Sequence, residues 1–403
     1  MQSLLLILWC VFWPMGSVGH TTGPSSRRRT SVVVTTSRSF TDSNGVNASG
    51  DSDWVKRLRW IPQKDIKIVR FIDSGRFSNV FEARLDTSAF EMSSDDGVYW
   101  SEGPSRAVLK VLKHTFGGKA KREIRLLELL RSARGVVRLL GVSRNSACFP
   151  KTVSLIFEHL PGAQWLSHVQ LLNSPASTTS SDATTTGSTS EPLNEPPPWS
   201  LVEIRLFSYK LLDALRECHN RGVMHRDIKP RNVIVQRQLK QLRLIDFGLS
   251  ELYVPRAEYN PSVASRHYKC PELLLNYCYY DYAVDIWAAG CIIAGLIFKS
   301  EPFFYGADLL DQVTAVASIV GSKAILDWAA KYALPLSRAQ RKAIGKHPAV
   351  PLERFCNEHN SHLCCDEAID LLRQMLCVDH QERATADRCL AHPFFDQVRG
   401  TRI

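Results

Sequence analysis

None of the 11 cysteines in this 403-residue sequence stands in a C-x-x-C pair, and no histidine spacing of the zinc type accompanies them. A zinc-stapled fold is thereby excluded. Most thiols are expected to be buried and free, which fits poorly with an oxidising compartment. Long hydrophobic runs are scarce as well. The one near either end, Leu4 to Met15, is too short at roughly 1.5 Å per residue for a ~30 Å hydrocarbon core, so no stable membrane span is expected. There is no internal repeat. What is present, 44% hydrophobic and 22% charged residues with 22 Gly and 20 Pro, excludes a wholly disordered, collagenous or multi-span chain and allows one large domain or two lobes. The formal charge of +10 would serve nucleic acid, acidic phospholipid or an acidic protein, or sit in a basic tail.

Residues 1–19 read as a signal peptide: Ser17 and Gly19 are small residues placed for cleavage, although only the terminal amine supplies a basic n-region. The competing reading is an apolar start without a targeting role. Residues 20–53 form a flexible Ser/Thr/Arg-rich segment. Within it, His20 to Thr41 holds Arg27, Arg28, Arg29 and Arg38 and no acidic residue, as in the transit half of a two-part plastid presequence or in a solvated basic tail. Entry to the secretory route or to a plastid follows from the first reading, cytoplasm or nucleus from the second. Asn47-Ala48-Ser49 is a glycosylation acceptor only in the secretory lumen.

Ordered patterning starts between Trp54 and Trp60 and runs into the alternating Ile66, Ile68 and Val69, which reads as a strand. Val80 to Ala83 follows the Gly75 turn as a second strand, and Ala107 to Leu112 forms a third after a polar insertion, Asp86 to Ser105. A charged helix is predicted from Lys119 to about Arg134. Between residues 173 and 198 the composition collapses into Ser, Thr, Gly and Pro and predicts a mobile loop. It ends at Ser200-Leu201-Val202-Glu203, a capping box, after which Ile204, Phe207, Leu211 and Leu215 recur at helical spacing until Gly222. Beyond Pro271 the chain is mostly helical, with Ala283 to Phe298 apolar enough for a buried helix.

Residues 225–232 read His-Arg-Asp-Ile-Lys-Pro-Arg-Asn, and Asp246-Phe247-Gly248 follows two short apolar strands. Upstream stand Gly75, the strand Ala107-Val108-Leu109-Lys110, and Glu123 on the charged helix. In this order and on these elements they resemble the protein-kinase signature set. Phosphoryl transfer needs fixed positive charge around the phosphate oxygens and an aimed nucleophile. Lys110 supplies a cation for the α and β phosphates of ATP, and Glu123 holds it. Asp246 and Asn232 offer hard oxygen ligands for Mg²⁺. Asp227 accepts the substrate hydroxyl proton. Lys229 reaches the γ-phosphate, a feature that the resemblance associates with Ser/Thr kinases. His225, Asp285 and the pair Glu272 and Arg383 are expected to be architecture.

The segment from Leu242 to Leu334 is similar to the catalytic subunit of casein kinase II, in the CMGC group. The likeness rests on Arg243-Leu244-Ile245-Asp246, Glu258-Tyr259-Asn260, Val263-Ala264-Ser265-Arg266, Pro271-Glu272-Leu273-Leu274 and Glu301-Pro302-Phe303-Phe304, and extends roughly from Lys56 to Phe395. It implies an α+β, bilobal kinase fold over 66–395, with a β-rich N-lobe (66–157) carrying one regulatory helix and a helical C-lobe (160–395). It further implies ATP and Mg²⁺ as cofactors. The nucleotide would be held by Ile72, Asp73, Ser74, Gly75, Arg76, Phe77, Ser78, Asn79 and Val80, and by Val108, Lys110, Glu158, Leu160 and Ile234. Protein substrates acidic around the acceptor would meet Arg266 and Lys269, with Lys119, Lys121 and Arg122 adding positive charge. The casein kinase II regulatory subunit is an implied partner. Activity without activating phosphorylation is implied too, the activation segment being held by an N-terminal stretch aligned with Lys56, Arg57, Arg59 and Trp60.

The departures are specific. Asp73 replaces the first glycine of the phosphate-covering loop, which leaves Gly75 as its one bare backbone position, and a carboxylate there repels triphosphate. That substitution keeps a pseudokinase or scaffold as the alternative. Phe247 stands where the family carries Trp. Gly117, Gly118 and Ser262 stand where further positive charge is expected, so acid-directed specificity should be weakened. Nucleic acid is not an expected partner, because no stacking platform of aromatic and basic residues and no zinc motif accompanies the charge.

Overall fold

In strand β3 (Ser105–Leu112) alternate residues turn to opposite faces: Ala107 and Leu109 are buried on one side, while Val108 and Lys110 face the other. That alternation builds an antiparallel five-stranded sheet in the order β1-β2-β3-β5-β4, with β1 at Ile66–Ser74, β2 at Ser78–Leu85, β4 at Leu139–Asn145 and β5 at Thr152–Glu158. The computed structural model describes residues 58–75, 77–86, 105–113, 117–145, 152–166 and 198–400. The expected targeting segments, Arg76, most of the polar insertion before β3, and residues 173–197 lie outside the described residues.

Helix α1 spans Gly117–Leu129, shorter than the expected run to Arg134. Leu130 still bonds to the carbonyl of Leu126, but Arg131 and Ala133 close tighter turns on Glu128 and Leu130. Those turns lead into Gly135 at φ +70°, where an added Cβ would lie 2.7 Å from the Cβ of Ala214. The chain must turn there to pass over the next helix, and only glycine fits the approach.

The C-terminal region is mainly helical. Helix α2 (Leu201–Asn220) begins at the expected box: Ser200 accepts from the Glu203 amide, and the Glu203 carboxylate accepts from the Ser200 amide at 3.1 Å. Helices α3 (Pro271–Leu274) and α4 (Ala283–Phe298) follow, and every residue of α4 is buried. Helices α5 (Leu309–Val320), α6 (Ser322–Lys331), α7 (Arg338–Ile344), α8 (Asp366–Met375) and α9 (Ala386–Leu390) follow, and α2 and α8 pack against α4. Among the described residues no single helix is long and apolar enough to cross a membrane.

Glu272 of α3 and Arg383 are both fully buried and joined by two bonds of 2.8 and 3.0 Å. Arg383 also donates to the carbonyls of Cys377, Ala283 and Val378, so the buried cation is satisfied on several sides. Trp60 pairs with Val142 in a parallel bridge at the β4 edge, under the guanidinium of Arg144 at 4.4 Å. Leu58 to Ile61 is thus the described part of the N-terminal stretch, and Lys56 and Arg57 lie outside it.

Candidate active site

The catalytic-loop residues are fixed from beneath by one carboxylate. Asp285, buried at the start of α4, accepts the backbone amides of His225 and Arg226 at 2.8 Å each and faces His219 Nε2 at 3.0 Å. Burial would raise its pKa, but these donors, His219 first, carry it below the usual carboxylate value. The loop can therefore hold Arg226 at φ +64°. His225 completes the support through Ile245 O at 3.0 Å, and its ring lies edge-on to Phe247 at 4.7 Å. The architectural expectation for His225, Asp285, Glu272 and Arg383 agrees with these contacts.

Above that floor, Asp227 is buried and surrounded by donors. Lys229 Nζ reaches its Oδ2 at 2.7 Å and Asn232 Nδ2 the same oxygen at 3.1 Å. The Ser265 amide and hydroxyl both donate to Oδ1, at 2.9 and 2.8 Å, and Lys229 also donates to Ser265 Oγ at 3.0 Å. A hydroxyl thus already lies against this carboxylate, supplied by the protein itself.

Lys110 bonds Glu123 Oε1 at 2.6 Å and Asp246 Oδ1 at 2.8 Å, which joins the sheet, α1 and the Asp246-Phe247-Gly248 turn. Burial would depress the ammonium, but the Glu123 and Asp246 carboxylates outweigh it and raise the pKa, so Lys110 stays charged. Asp246 adopts a left-handed conformation (φ +63°) and is 45% exposed. Burial pushes its pKa up, and Lys110, His225 and Lys229 bring it below normal. At Gly248 an added Cβ would lie 3.3 Å from Asp246 Oδ1 and 3.5 Å from Glu123 Oε2, so a bare backbone is favoured beside these carboxylates.

The hairpin β1–β2 covers this site from the other side. Cross-strand pairing places Asp73, Val80 and Lys110 in one row on the same face. Asp73 Oδ1 accepts from the Ser74 amide at 2.8 Å, so the carboxylate folds against its own strand. The Gly75 amide bonds Ser78 O at 2.9 Å and closes the turn, while Lys113 Nζ donates to Ser74 Oγ and Gly75 O at 2.9 and 2.8 Å. Ser74 Oγ in turn donates to Asn79 Oδ1, and Phe77 lies under Lys119 of α1 at 5.2 Å. Ile72, Val108, Leu160 and Ile234 are half-buried.

One expectation, Lys269 as a substrate contact, needs correction. Lys269 does not face outward: it is 7% exposed, and its ammonium donates to the carbonyls of Val263 and Pro261. Burial lowers its pKa. Glu158 Oε1 accepts from the Arg138 amide and from Arg243 Nε at 3.0 Å each, and its own amide donates to Arg138 O at 3.1 Å. Arg266 is exposed, with one guanidinium nitrogen on Ala307 O.

The geometry adds two residues that the motif pattern did not single out. Ser265 touches both Asp227 and Lys229, and its only sequence signal was its place in Val263-Ala264-Ser265-Arg266. Glu251 bridges Arg122 of α1 at 2.9 Å and Arg226 at 3.5 Å. Nothing short of the fold brings those two arginines together.

The donor set suits a divalent cation. Asn232 spends its amide nitrogen on Asp227 and Asp246 spends Oδ1 on Lys110, which leaves an amide oxygen and a carboxylate oxygen as hard donors. The protein kinase domain model matches residues 103–395. That match includes Lys110, Glu123, Asp227, Asn232 and Asp246 and starts after the β1–β2 hairpin. A β-sheet N-terminal region, a helical C-terminal region and this constellation between them agree with it, and the chain belongs to the protein kinase domain family.

Proposed function

We propose that this chain is an active serine/threonine protein kinase of the casein kinase II type, working without activating phosphorylation and with a weak preference for acidic substrates. Kinase-domain membership implies ATP, a divalent metal, typically Mg²⁺, and protein substrates. The observation that carries the finer reading is the closed contact of Lys110 with Glu123 and Asp246, next to an Asp227 already in contact with a hydroxyl. In this reading Lys110 neutralises phosphate charge and Glu123 orients it. Asp246 and Asn232 would hold Mg²⁺, which supplies charge neutralisation when bound. Asp227 orients the acceptor hydroxyl and takes its proton, and Lys229, two residues on, balances the charge of the transferred group. In this reading the acceptor hydroxyl takes the place of Ser265 Oγ beside Asp227.

Glu251 supports independence from phosphorylation. Its carboxylate sits between Arg122 and Arg226, a position from which a fixed negative charge couples α1 to the catalytic loop. Acid preference rests on fewer cations than expected, since Lys269 is buried and Arg122 is paired. The domain extent 66–395, the regulatory-subunit partner and an N-terminal targeting role for residues 1–53 belong to this proposal. Sequencing of the mature N-terminus and co-purification test the last two.

The deciding experiment compares phosphotransfer by the parent and Asp227→Asn, where a fall of about 10²–10⁴-fold is expected. Equal turnover in both proteins would favour a scaffold, the reading to which Asp73 points. A peptide array without any preference for Asp or Glu near the acceptor would remove the acid-directed part.

A further inference from the structure

A second concentration of positive charge lies in the helical region, outside the residues assigned to catalysis. From Trp328 to Leu352 the sequence holds Lys331, Arg338, Arg341, Lys342 and Lys346 and no Asp or Glu. Arg338, Arg341 and Lys342 stand at i, i+3 and i+4 on α7 and share one face, where like charges repel. All three are exposed, as is Lys346, and none of the four makes an ion pair among the described residues. The helix that displays them is firmly held. Ser337 and Gln340 form its capping box, and Thr314 and Ser322 donate to its last carbonyls, Ala343 O at 3.0 Å and Ile344 O at 2.6 Å.

The chain leaving α7 runs directly into a cavity wall. The Ser322 amide bonds His347 O at 2.9 Å and the Val350 amide bonds Ile319 O at 2.8 Å. The cavity beside them has a volume of ≈ 460 Å³ and is lined by Phe304, Ile319, Val320, Trp328, Val350 and Leu352, with Lys331 and Arg373 at its margin. The acidic groups on this wall are already matched: Asp379 by Lys331 and Tyr332, and Asp327 by Lys323.

We propose that this cavity and the α7 ridge form a docking site for an acidic segment of a protein substrate, with an apolar side chain in the cavity and carboxylates along Arg338, Arg341, Lys342 and Lys346. Charge complementarity sets the sign of the partner. The recess selects a peptide with a side chain to insert, and the aromatic rings that line it, Trp328 and Phe304, are buried and offer no stacking face to nucleic acid bases. The site lies on residues outside the catalytic machinery, so it adds affinity for whole substrates without touching the transfer step.

The test uses the full chain and a fluorescent twelve-residue peptide of Glu with a central Leu pair and no Ser, Thr or Tyr. Arg338→Glu/Arg341→Glu/Lys342→Glu should weaken binding by at least about tenfold. Ala349→Trp, which fills the cavity from its wall, and replacement of the peptide's Leu pair by Asn should each weaken it severalfold. In kinetics, linking this peptide to a short acceptor peptide should lower KM but not change kcat, and the charge-reversed variant should lose that gain while phosphorylating the unlinked acceptor normally. Thermal melts establish that both variants fold. Unchanged binding in the variants, equal binding of the Asn-substituted peptide, tighter binding of an oligothymidylate of equal charge, or charge-dependent recruitment to phosphatidylserine vesicles would each overturn the proposal. Because the unlinked acceptor reads the catalytic site alone, failure there is distinguishable from failure of docking.

Discussion

The His225–Asn232 loop and the β1–β2 hairpin are built in opposite ways. In the loop, His225, Arg226, Asp227 and Asn232 are all buried, and each is held by a bond to α4, to the Ile245–Leu249 stretch or to Ser265, with the Ile245 amide donating to Asn232 O at 2.9 Å. In the hairpin, Phe71, Ser74, Gly75 and Phe77 are exposed, and the turn is held by the Gly75–Ser78 backbone bond and by the exposed side chains of Ser74, Asn79 and Lys113. The departures from the kinase pattern follow the same division. Asp73 sits in the exposed element, while the ionisable groups of the loop are intact. Where many buried bonds fix a conformation, a change of residue costs stability at once; where the element is open, it changes affinity first.

Removing the loop's anchor tests the first half of that contrast and should have the largest effect. Asp285→Ala leaves two buried amides and His219 without their acceptor, which is expected to cost about 2–5 kcal/mol of stability. It should also lower phosphotransfer by at least about 100-fold through misplacement of Asp227. Denaturant melts and single-turnover assays measure the two. A variant with native stability and activity would show that the loop is held elsewhere.

The same carboxylate predicts the direction of acid sensitivity. Its folded pKa lies below the unfolded value, so its contribution is fully present above the ordinary carboxylate range of about 4 and is lost as pH falls through the lowered folded value. Stability should therefore hold from neutrality to about pH 4 and decline below it. In Asp285→Asn that part of the decline should be missing. A melting profile of identical pH dependence in both proteins would assign the acid transition to other groups.

Between the two regions lies α1, which Glu251 ties to the loop through Arg122 and Arg226. Glu251→Gln should lower kcat by about threefold, the scale of a partly exposed ion pair. The parent should gain nothing from an upstream kinase. Full activity appearing only after such treatment would show that Glu251 does not replace a phosphate.

The sequence was most informative where chemistry and local pattern coincide. Lys110, Glu123, Asp227, Asn232 and Asp246 could be named because they stand, in order, in short runs that resemble the protein-kinase signature set, and the α2 cap could be named because its two partners are three residues apart. What could not be read were contacts made across the fold by ordinary residues. Ser265 meets Asp227 over 38 positions, and Glu251 meets Arg122 only because α1 packs beside it. Lys269 was misjudged for a related reason. A basic residue in a peptide-binding loop reads as outward, and only the folded loop reveals carbonyls that draw its ammonium inside.

Asp73→Gly probes the other half of the contrast and should give the smallest effect. Asp73 and Lys110 lie two strands apart in one row, roughly 10 Å at ordinary strand spacing. In a water-like medium a unit charge at that distance costs about 0.4 kcal/mol per phosphate charge, or about twofold. Lys113, at the same turn, offsets part of it. The KM for ATP should accordingly fall about two- to fivefold with kcat unchanged, and the difference should shrink at high salt. Asp73→Asn separates the causes. If it lowers KM as far as glycine does, charge is what this hairpin alters; if only glycine does, backbone freedom is. If neither moves KM, the carboxylate bonded to the Ser74 amide is already turned away from the phosphates, and the exposed hairpin tolerates the substitution without functional consequence.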